Sequence, residues 1–340
     1  MSEQAYTPPY TLSEQILSLV AEICEAVGRL SATGEQALRL RRANRVRTIH
    51  GSVAIEGNTL TEEQVTAILE GKRVIAPPRE IIEVQNALRA YDQISDWNPV
   101  KDTDLRKAHG VLMKGLLADA GKYRRKSAGI MGKEGVIHVA PPADRVPYLM
   151  KQLLQWLKTT DLHPLVAGAV FHYEFEVIHP FADGNGRLGR LWQTLILSQW
   201  NPLFADLAVE NMIHARQSDY YAAINQSNAQ NDAAPFITFM LEVIRQTLAA
   251  QATQQVAQHV TQQVRQLLSA LKGEMSRSQL MQQLDLKDRV NFKHRYLDPA
   301  LAQGFIEMTR PDTPNSRPQQ YRLTTAGSNA SRSRSKGGRR

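Results

Sequence analysis

Cysteine is nearly missing, with Cys24 alone among 340 residues. A single thiol excludes an intramolecular disulfide framework and a cysteine-rich zinc site. It also fits a reducing, cytoplasmic address. Long apolar runs are missing as well. A stretch such as Leu165 to Phe171 falls far short of the roughly 20 residues that a membrane-spanning helix needs. The opening MSEQAYTPPY has neither a basic nor an apolar segment, so it does not read as a signal peptide. The sequence has no internal repeat of about 20–50 residues, which excludes a solenoid.

What is present is an ordinary globular composition with an uneven charge. The 42% apolar fraction is enough for a sizeable core, and the length suggests two or three domains. Residues 251–340 hold 15 Lys and Arg against 6 Asp and Glu, a net of +9. Residues 1–250 hold 26 against 27, a net of −1. A near-neutral body with a basic C-terminal third points to an anionic partner for that third, nucleic acid first. Part of the excess is a Ser/Arg/Gly tail with Arg332, Arg334, Lys336, Arg339 and Arg340, which reads as disordered.

Most of the chain carries helical periodicity. The spacing predicts helices over 11–30, 36–50, 80–95, 102–118, 145–159, 163–178, 187–199, 216–227 and 235–249. Thr61-Glu-Glu-Gln reads as a capping box that opens a helix ending near Gly71. Lys126 to Pro142, with three glycines and the alternating Val136, His138 and Ala140, reads as a β-hairpin. Residues 251–266 contain seven glutamines and read as a polar connector. Beyond it, helices near 262–271, 277–284 and 288–302 precede strands at 305–309 and 320–323, with a turn at Pro311 to Ser316 between the strands. Three helices and a hairpin make a winged helix-turn-helix the natural expectation.

The densest chemistry lies in His179-Pro-Phe-Ala-Asp-Gly-Asn-Gly-Arg-Leu-Gly-Arg190. Gly184, Gly186 and Gly189 satisfy G-x-G-x-x-G, but a dinucleotide loop needs a strand before it, and 165–177 have helical spacing. The phosphate-loop pattern also fails, because Arg190 stands where lysine is required. The residues make better sense as an anion nest. Gly184, Asn185 and Gly186 lie at the start of a helix, where successive N–H groups and the helix dipole favour phosphate. Arg187 and Arg190, three apart, share one face beside it. Asp183 supplies a hard oxygen of the kind Mg²⁺ prefers when it also binds phosphates. His179 is the evident general base. The other histidines (His50, His109, His138, His163, His172, His214, His259 and His294) have no metal-ligand spacing and read as structural.

These twelve residues match the Fic signature H-P-F-x-[DE]-G-N-G-R-x-x-R at every defined position. The chain therefore resembles the Fic family over about 101–247. The resemblance implies a mainly α fold: a Fic-type helical domain with a small β-hairpin flap, followed by a C-terminal winged helix-turn-helix domain. The implied boundaries are 1–100 for an N-terminal region with an inhibitory helix, 101–247 for the core and 248–265 for a linker helix. They continue with 266–327 for the winged-helix-like domain and 328–340 for a basic disordered tail. It also implies transfer of AMP from ATP, with Mg²⁺, to a hydroxyl of a protein, the chain itself included. His179 would take the hydroxyl's proton, and Asp183 would position the metal. Gly184, Asn185, Gly186 and Arg187 would hold phosphates, and Arg190 the γ-phosphate. The hairpin at about 126–141 would dock the target as an added strand. Tyr220 and Tyr221 would line the nucleoside pocket, with plain packing as the competing role.

Ser52-Val-Ala-Ile-Glu56-Gly-Asn resembles the family's inhibitory [ST]-x-x-x-E-[GN] motif. Ser52 and Glu56 stand at i, i+4, and a Glu56 carboxylate paired with Arg190 would displace the γ-phosphate. Members with this motif often dimerise and self-modify. Alternatives on the same fold are another nucleotide or phosphate-containing donor, or removal of AMP. A metal-dependent phosphohydrolase and a DNA-binding regulator without catalysis are the rivals outside that chemistry. Lys293, His294 and Arg295 are the candidate DNA contacts.

Overall fold

The computed structural model describes residues 6–32, 38–127, 129–132, 135–259, 262–310 and 319–332. The chain divides into two compact units, Met1–Ala250 and Gln251–Arg340.

The first unit is helical apart from one hairpin. Its helices are α1 (Glu14–Ala32), α2 (Leu38–Ala54), α3 (Glu62–Leu69), α4 (Pro78–Asp92) and α5 (Asp102–Leu112). The hairpin strands β1 (Gly129–Gly132) and β2 (Gly135–Val139) follow. Then come α6 (Val146–Thr159), α7 (Pro164–Ile178), α8 (Asn185–Trp200), α9 (Val209–Ala215), α10 (Gln217–Gln230) and α11 (Ala234–His259). The centre is the pair α7 and α8. The sequence of α7 is apolar almost all round, and such a helix is stable only when it is enclosed. Every residue from Leu165 to Glu176 is buried. Trp192, Leu188, Leu191 and Leu195 of α8 complete the same core.

The capping box at Thr61 forms as the sequence suggests. Thr61 Oγ1 accepts from the Gln64 N–H (3.3 Å), and Gln64 Oε1 accepts from the Thr61 N–H (2.9 Å). The hairpin pairs antiparallel, with Gly129 opposite Val139 and Gly132 opposite Gly135. A bulge between Ile130 and Met131 gives β2 its extra residue. Two helix ends differ most from the periodicity. The fifth helix stops at Leu112 rather than 118, because Met113 and the residues to Gly121 turn back under the loop that joins α7 to α8, with Gly115 and Gly121 at positive φ. The eleventh continues through the glutamine-rich stretch to His259, since glutamine is a good helix former.

The second unit consists of α12 (Gln262–Ala270), β3 (Met275–Ser276), α13 (Arg277–Gln283), α14 (Arg289–Phe292), a π turn (Lys293–Leu297) and α15 (Asp298–Ala302). Strands β4 (Ile306–Met308) and β5 (Gln320–Leu323) and helix α16 (Thr325–Arg332) complete it. The three strands form an antiparallel sheet in the order β3-β5-β4. Its core joins Leu267, Leu271, Leu280, Phe292, Phe305 and Tyr321. The short β3 and the helix α16 are additions to the expected pattern. The tail expected to be disordered from 328 is helical through Arg332, anchored where Thr324 Oγ1 accepts from the Gly327 N–H (3.1 Å). Residues 333–340 and the turn at Pro311 to Ser316 lie outside the described residues.

Candidate active site

The site is built where α7 hands over to α8. At the end of α7, His179 turns into the left-handed conformation (φ 49°, ψ 60°), and its N–H donates to the Phe175 carbonyl (2.9 Å). A non-glycine residue is uncommon there and must be held by its surroundings. Arg124 holds it. Its Nε donates to the His179 carbonyl (2.7 Å), its Nη2 to the carbonyls of Pro141 (2.5 Å) and Ile178 (3.3 Å), and its Nη1 to that of Lys126 (3.0 Å). One buried guanidinium thus ties both roots of the hairpin to the backbone of the base.

The loop interior is equally fixed. The Phe181 ring stacks on His109 at 3.7 Å between centroids. His109 Nδ1 accepts from the Gly121 N–H (2.8 Å), so its Nε2 carries the proton and donates to the Asp183 carbonyl (2.9 Å). Burial pushes the His109 pKa down to about 4, which keeps this tautomer neutral. Asn185 Oδ1 accepts from the Phe181 N–H, and its Nδ2 donates to the Phe181 carbonyl, both at 2.9 Å. The asparagine side chain therefore closes the loop on itself. Gly184 lies at φ 84°, and a Cβ there would stand 2.6 Å from Met113 Sδ. In the first turn of α8, the N–H groups of residues 185–187 have no helical carbonyl to bond, so they remain available as anion donors.

Around this nest the charged side chains converge. His179 is 22% exposed at the side chain and Asp183 42%. Arg187 Nη2 meets Asp183 Oδ1 (3.2 Å), and its Nη1 lies 3.7 Å from Glu83 Oε1 on α4. Arg79, one helical turn before Glu83, reaches Asp183 Oδ2 (3.3 Å). Arg190 is 1% exposed at the side chain, and its Nη2 donates to Glu56 Oε1 (2.7 Å) and to the Ser52 carbonyl (2.9 Å). Both motif arginines therefore face carboxylates from the N-terminal region, Glu83 and Glu56. Ser52 contributes its backbone oxygen. Glu56 is not within α2 but caps it. The Gly57 N–H bonds the Ala54 carbonyl and the Asn58 N–H bonds the Val53 carbonyl, the two bonds of a Schellman motif with Gly57 at φ 91°.

Glu176 lies beneath the base, with Oε2 3.9 Å from His179 Nδ1 and Oε1 3.8 Å from His172 Nε2. Burial pushes its pKa up to about 8; the Glu56 charge adds to this, and Arg190 opposes it. Tyr220 is fully enclosed and donates from its hydroxyl to His172 Nε2 (3.2 Å), among Phe236 and Phe239. It packs as a core residue and offers no ring face to a ligand. Tyr221, with its ring 5.3 Å from that of Tyr220, is the exposed member of the pair.

The structure thus gathers His179, Asp183, Gly184, Asn185, Gly186, Arg187, Arg190, Ser52 and Glu56. Sequence reading missed Arg79, Glu83, Arg124 and Glu176. Only Glu176 had a local signal, standing three residues before the base on the same helix. Arg124 is indistinguishable in sequence from its neighbour Arg125.

A single carboxylate beside an anion nest fits a Mg²⁺ ion whose other ligands are phosphates and water. Among the described residues no cluster of His, Cys, Asp and Glu would hold a metal by protein ligands alone. Nor is any helix among them long and apolar enough to cross a membrane.

Comparison with known proteins agrees with this geometry. Residues 99–197 match the Fic/DOC family profile, and 262–324 match the profile of the Filamentation induced by cAMP protein Fic-like, C-terminal domain. The protein adenylyltransferase Fic of Nematostella vectensis is 30% identical over 217 residues, 59% of this chain and 47% of that protein. The protein of the same name from Drosophila grimshawi is 30% identical over 70% of this chain and 49% of its own length. The chain thus spans about half the length of the curated relatives it matches. The crystal structure of a Fic family protein from Desulfovibrio desulfuricans is 51% identical with a TM-score of 0.72, covering 94% of this chain and 99% of that one. Fic-1 from C. elegans, at 22% identity and TM-score 0.58, shares the fold. With its signature residues assembled and a full-length structural relative at this identity, the chain belongs to the Fic family.

Proposed function

We propose that this chain is a protein adenylyltransferase held quiet by its own Glu56. It would use Mg²⁺-ATP and modify Ser, Thr or Tyr hydroxyls, its own included. The observation that carries the reading is the Arg190–Glu56 pair at 2.7 Å, beside the nest formed by the start of α8. Two arginines and free helix N–H groups suit a polyphosphate, and one of those arginines is occupied by an internal carboxylate.

The chemistry follows from the side chains. The target hydroxyl oxygen attacks the α-phosphorus, the bond to pyrophosphate breaks, and the hydroxyl proton passes to His179. Arg124 and the left-handed turn fix the backbone from which that imidazole projects. The N–H groups of the first turn of α8, with Arg187, hold the phosphates. Asp183 is the residue to hold Mg²⁺, which when bound offsets phosphate charge. Arg190 would take the γ-phosphate once Glu56 leaves it. While Glu56 stays, a triphosphate sits displaced, and a shift of about 1 Å can cost on the order of 100-fold. The hairpin at 129–139 would receive the target as an added strand, and Tyr221 would border the nucleoside. A cytoplasmic setting, and self-association of the kind such family members show, fit the same reading.

The test is intact-protein mass spectrometry after incubation with Mg²⁺-ATP. An AMP adduct should be strong on Glu56→Gly, weak on the wild type and absent on Glu56→Gly/His179→Ala. Equal labelling of wild type and Glu56→Gly would remove the brake, and labelling of the double variant would remove His179 as the base. Free AMP produced without any modified protein would point to hydrolysis instead.

A further inference from the structure

The C-terminal unit carries a charge that the catalytic reading does not use. Its described residues, 262–310 and 319–332, hold ten Lys and Arg against five Asp and Glu. The sheet face is neutralised: Arg322 is bound by Glu307 (2.6 Å) and Glu274 (3.3 Å). Five of the ten cations, Arg277, Lys287, Arg289, Lys293 and Arg295, lie on the helix-turn-helix made by α13 and the continuous helical segment from Arg289 to Ala302, against Asp285, Asp288 and Asp298.

That segment is two-faced. Phe292, Leu297 and Ala300 point into the core. Arg289 and Lys293 form one outward row at i, i+4, and Val290 and His294 form the next. Val290 is 66% exposed, the one large hydrophobic side chain so exposed among the described residues of this unit. Arg295 adds a further exposed cation, Lys287 precedes the segment, and Arg277 opens α13, whose capping box at Ser276 and Gln279 fixes its first turn. The carboxylates on this side have structural tasks or sit at the edge. Asp288 caps the Val290 and Asn291 N–H groups (2.9 and 3.1 Å), Asp298 meets His294 (3.4 Å), and Asp285 lies in the turn. The π turn at Lys293–Leu297 widens the helix where these cations project.

We infer that this helix-turn-helix binds double-stranded DNA, laying the Arg289–Arg295 segment in the major groove with Arg277 on the flanking phosphates. The widths agree, since the major groove admits one helix. A positioning helix followed by a recognition helix whose N-terminal residues face outward is the geometry that reads base edges. Arg289 and Lys293 supply cations for guanine edges or phosphates. Val290 supplies the apolar contact that a thymine methyl takes. The phosphate contacts make binding steeply salt-dependent. Five cations give a log–log slope of about −4 to −5, a loss on the order of several hundred-fold between 50 and 200 mM salt.

The experiment is fluorescence anisotropy of a mixed-sequence duplex of about 25 base pairs with the full chain, across that salt range. Arg289→Ala/Lys293→Ala should weaken binding at least about 10-fold and reduce the slope by about 2. The charge-matched Lys272→Ala/Arg332→Ala, in the same unit but off the segment, should stay within about 3-fold of the wild type. Truncation after Arg332 should do the same. Arg289, Lys293 and Lys272 are exposed, and circular dichroism melts verify that each variant folds. Absence of binding at 50 mM salt overturns the proposal. So does an equal loss in the two double variants, which would mean a diffuse polycation, and so does loss on truncation, which would place the contact in the tail. Equal affinity for heparin and duplex, unaffected by Arg289→Ala/Lys293→Ala, would also overturn it.

Discussion

His179 and Glu176 close α7 three residues apart, with Nδ1 and Oε2 separated by 3.9 Å. A carboxylate there favours the imidazolium that forms as the target's proton arrives. A protonated carboxyl gives no such help. Burial first, and the Glu56 charge second, hold Glu176 protonated up to about pH 8. Removing Glu56 therefore does more than free Arg190: it lets Glu176 ionise at lower pH, next to the base. The expected outcome is a rate of AMP incorporation by Glu56→Gly that rises with pH through this ionisation. In Glu56→Gly/Glu176→Gln the part of the rise that belongs to this ionisation should vanish, with activity near pH 8 down by about 10-fold. Initial rates from pH 6 to 9 check it, and superimposable profiles would sink it.

Among the elements, the end of α2 matters most for the brake. Its position depends on Gly57 at φ 91°, on Gln217 Nε2 donating to the Ile55 carbonyl (2.8 Å), and on Asn58 Nδ2 donating to Glu83 Oε2 (2.9 Å). A β-branched residue at Gly57 would have to leave the left-handed region or bear a cost of about 1–3 kcal/mol. Gly57→Val should therefore displace Glu56 and raise self-modification toward the Glu56→Gly level, while Gly57→Ala does so less. The adduct yield measures it, and a Gly57→Val protein as quiet as the wild type would show that the turn does not position the carboxylate. What was legible at this scale was local. The capping box at Thr61 forms, and the apolar α7 with the motif after it gives the centre of the fold, whereas the i, i+4 reading of Ser52 and Glu56 did not contain the helix end at Ala54 that Gly57 closes. Long-range partners were not legible. Arg124 acts through carbonyls from three separate chain segments, and Glu83 and Arg79 act across about 100 residues of sequence. The fifth helix ends early for a tertiary reason, the packing of Met113 under Gly184, which no periodicity contains. For Tyr220 the sequence leaves pocket wall and plain packing open, and the ring lies buried beside His172 and Phe236.

For the whole catalytic unit, buried titratable groups set opposing pH dependences of stability. His109 and His172 are pushed down to about 4 and 3, by burial first in each case. Unfolded, both titrate near 6.5. As pH falls below that value, the unfolded chain gains protons that the folded chain refuses. Their contribution is thus fully present above about 6.5 and is lost progressively toward pH 3, approaching about 1.4 kcal/mol per pH unit for each. Glu176 acts with the opposite sign. Its folded pKa of about 8 lies above the ordinary 4.5, so from 4.5 upward the unfolded chain has released a proton that the folded chain keeps. Stability falls over that window until the folded group ionises as well. Glu174 and Glu210, raised by burial, tilt the same way. The four tryptophans, Trp97, Trp156, Trp192 and Trp200, all lie in this unit, so their fluorescence follows its unfolding in urea without interference from the C-terminal unit. Relative to the wild type, Glu176→Gln should gain stability as the pH rises from 5 to 8, by up to about 1.4 kcal/mol per pH unit, and level off above. A difference between the two proteins that stays constant across that range would mean that Glu176 is already ionised in the folded chain, and the pH-dependent activation argued for His179 would fall with it.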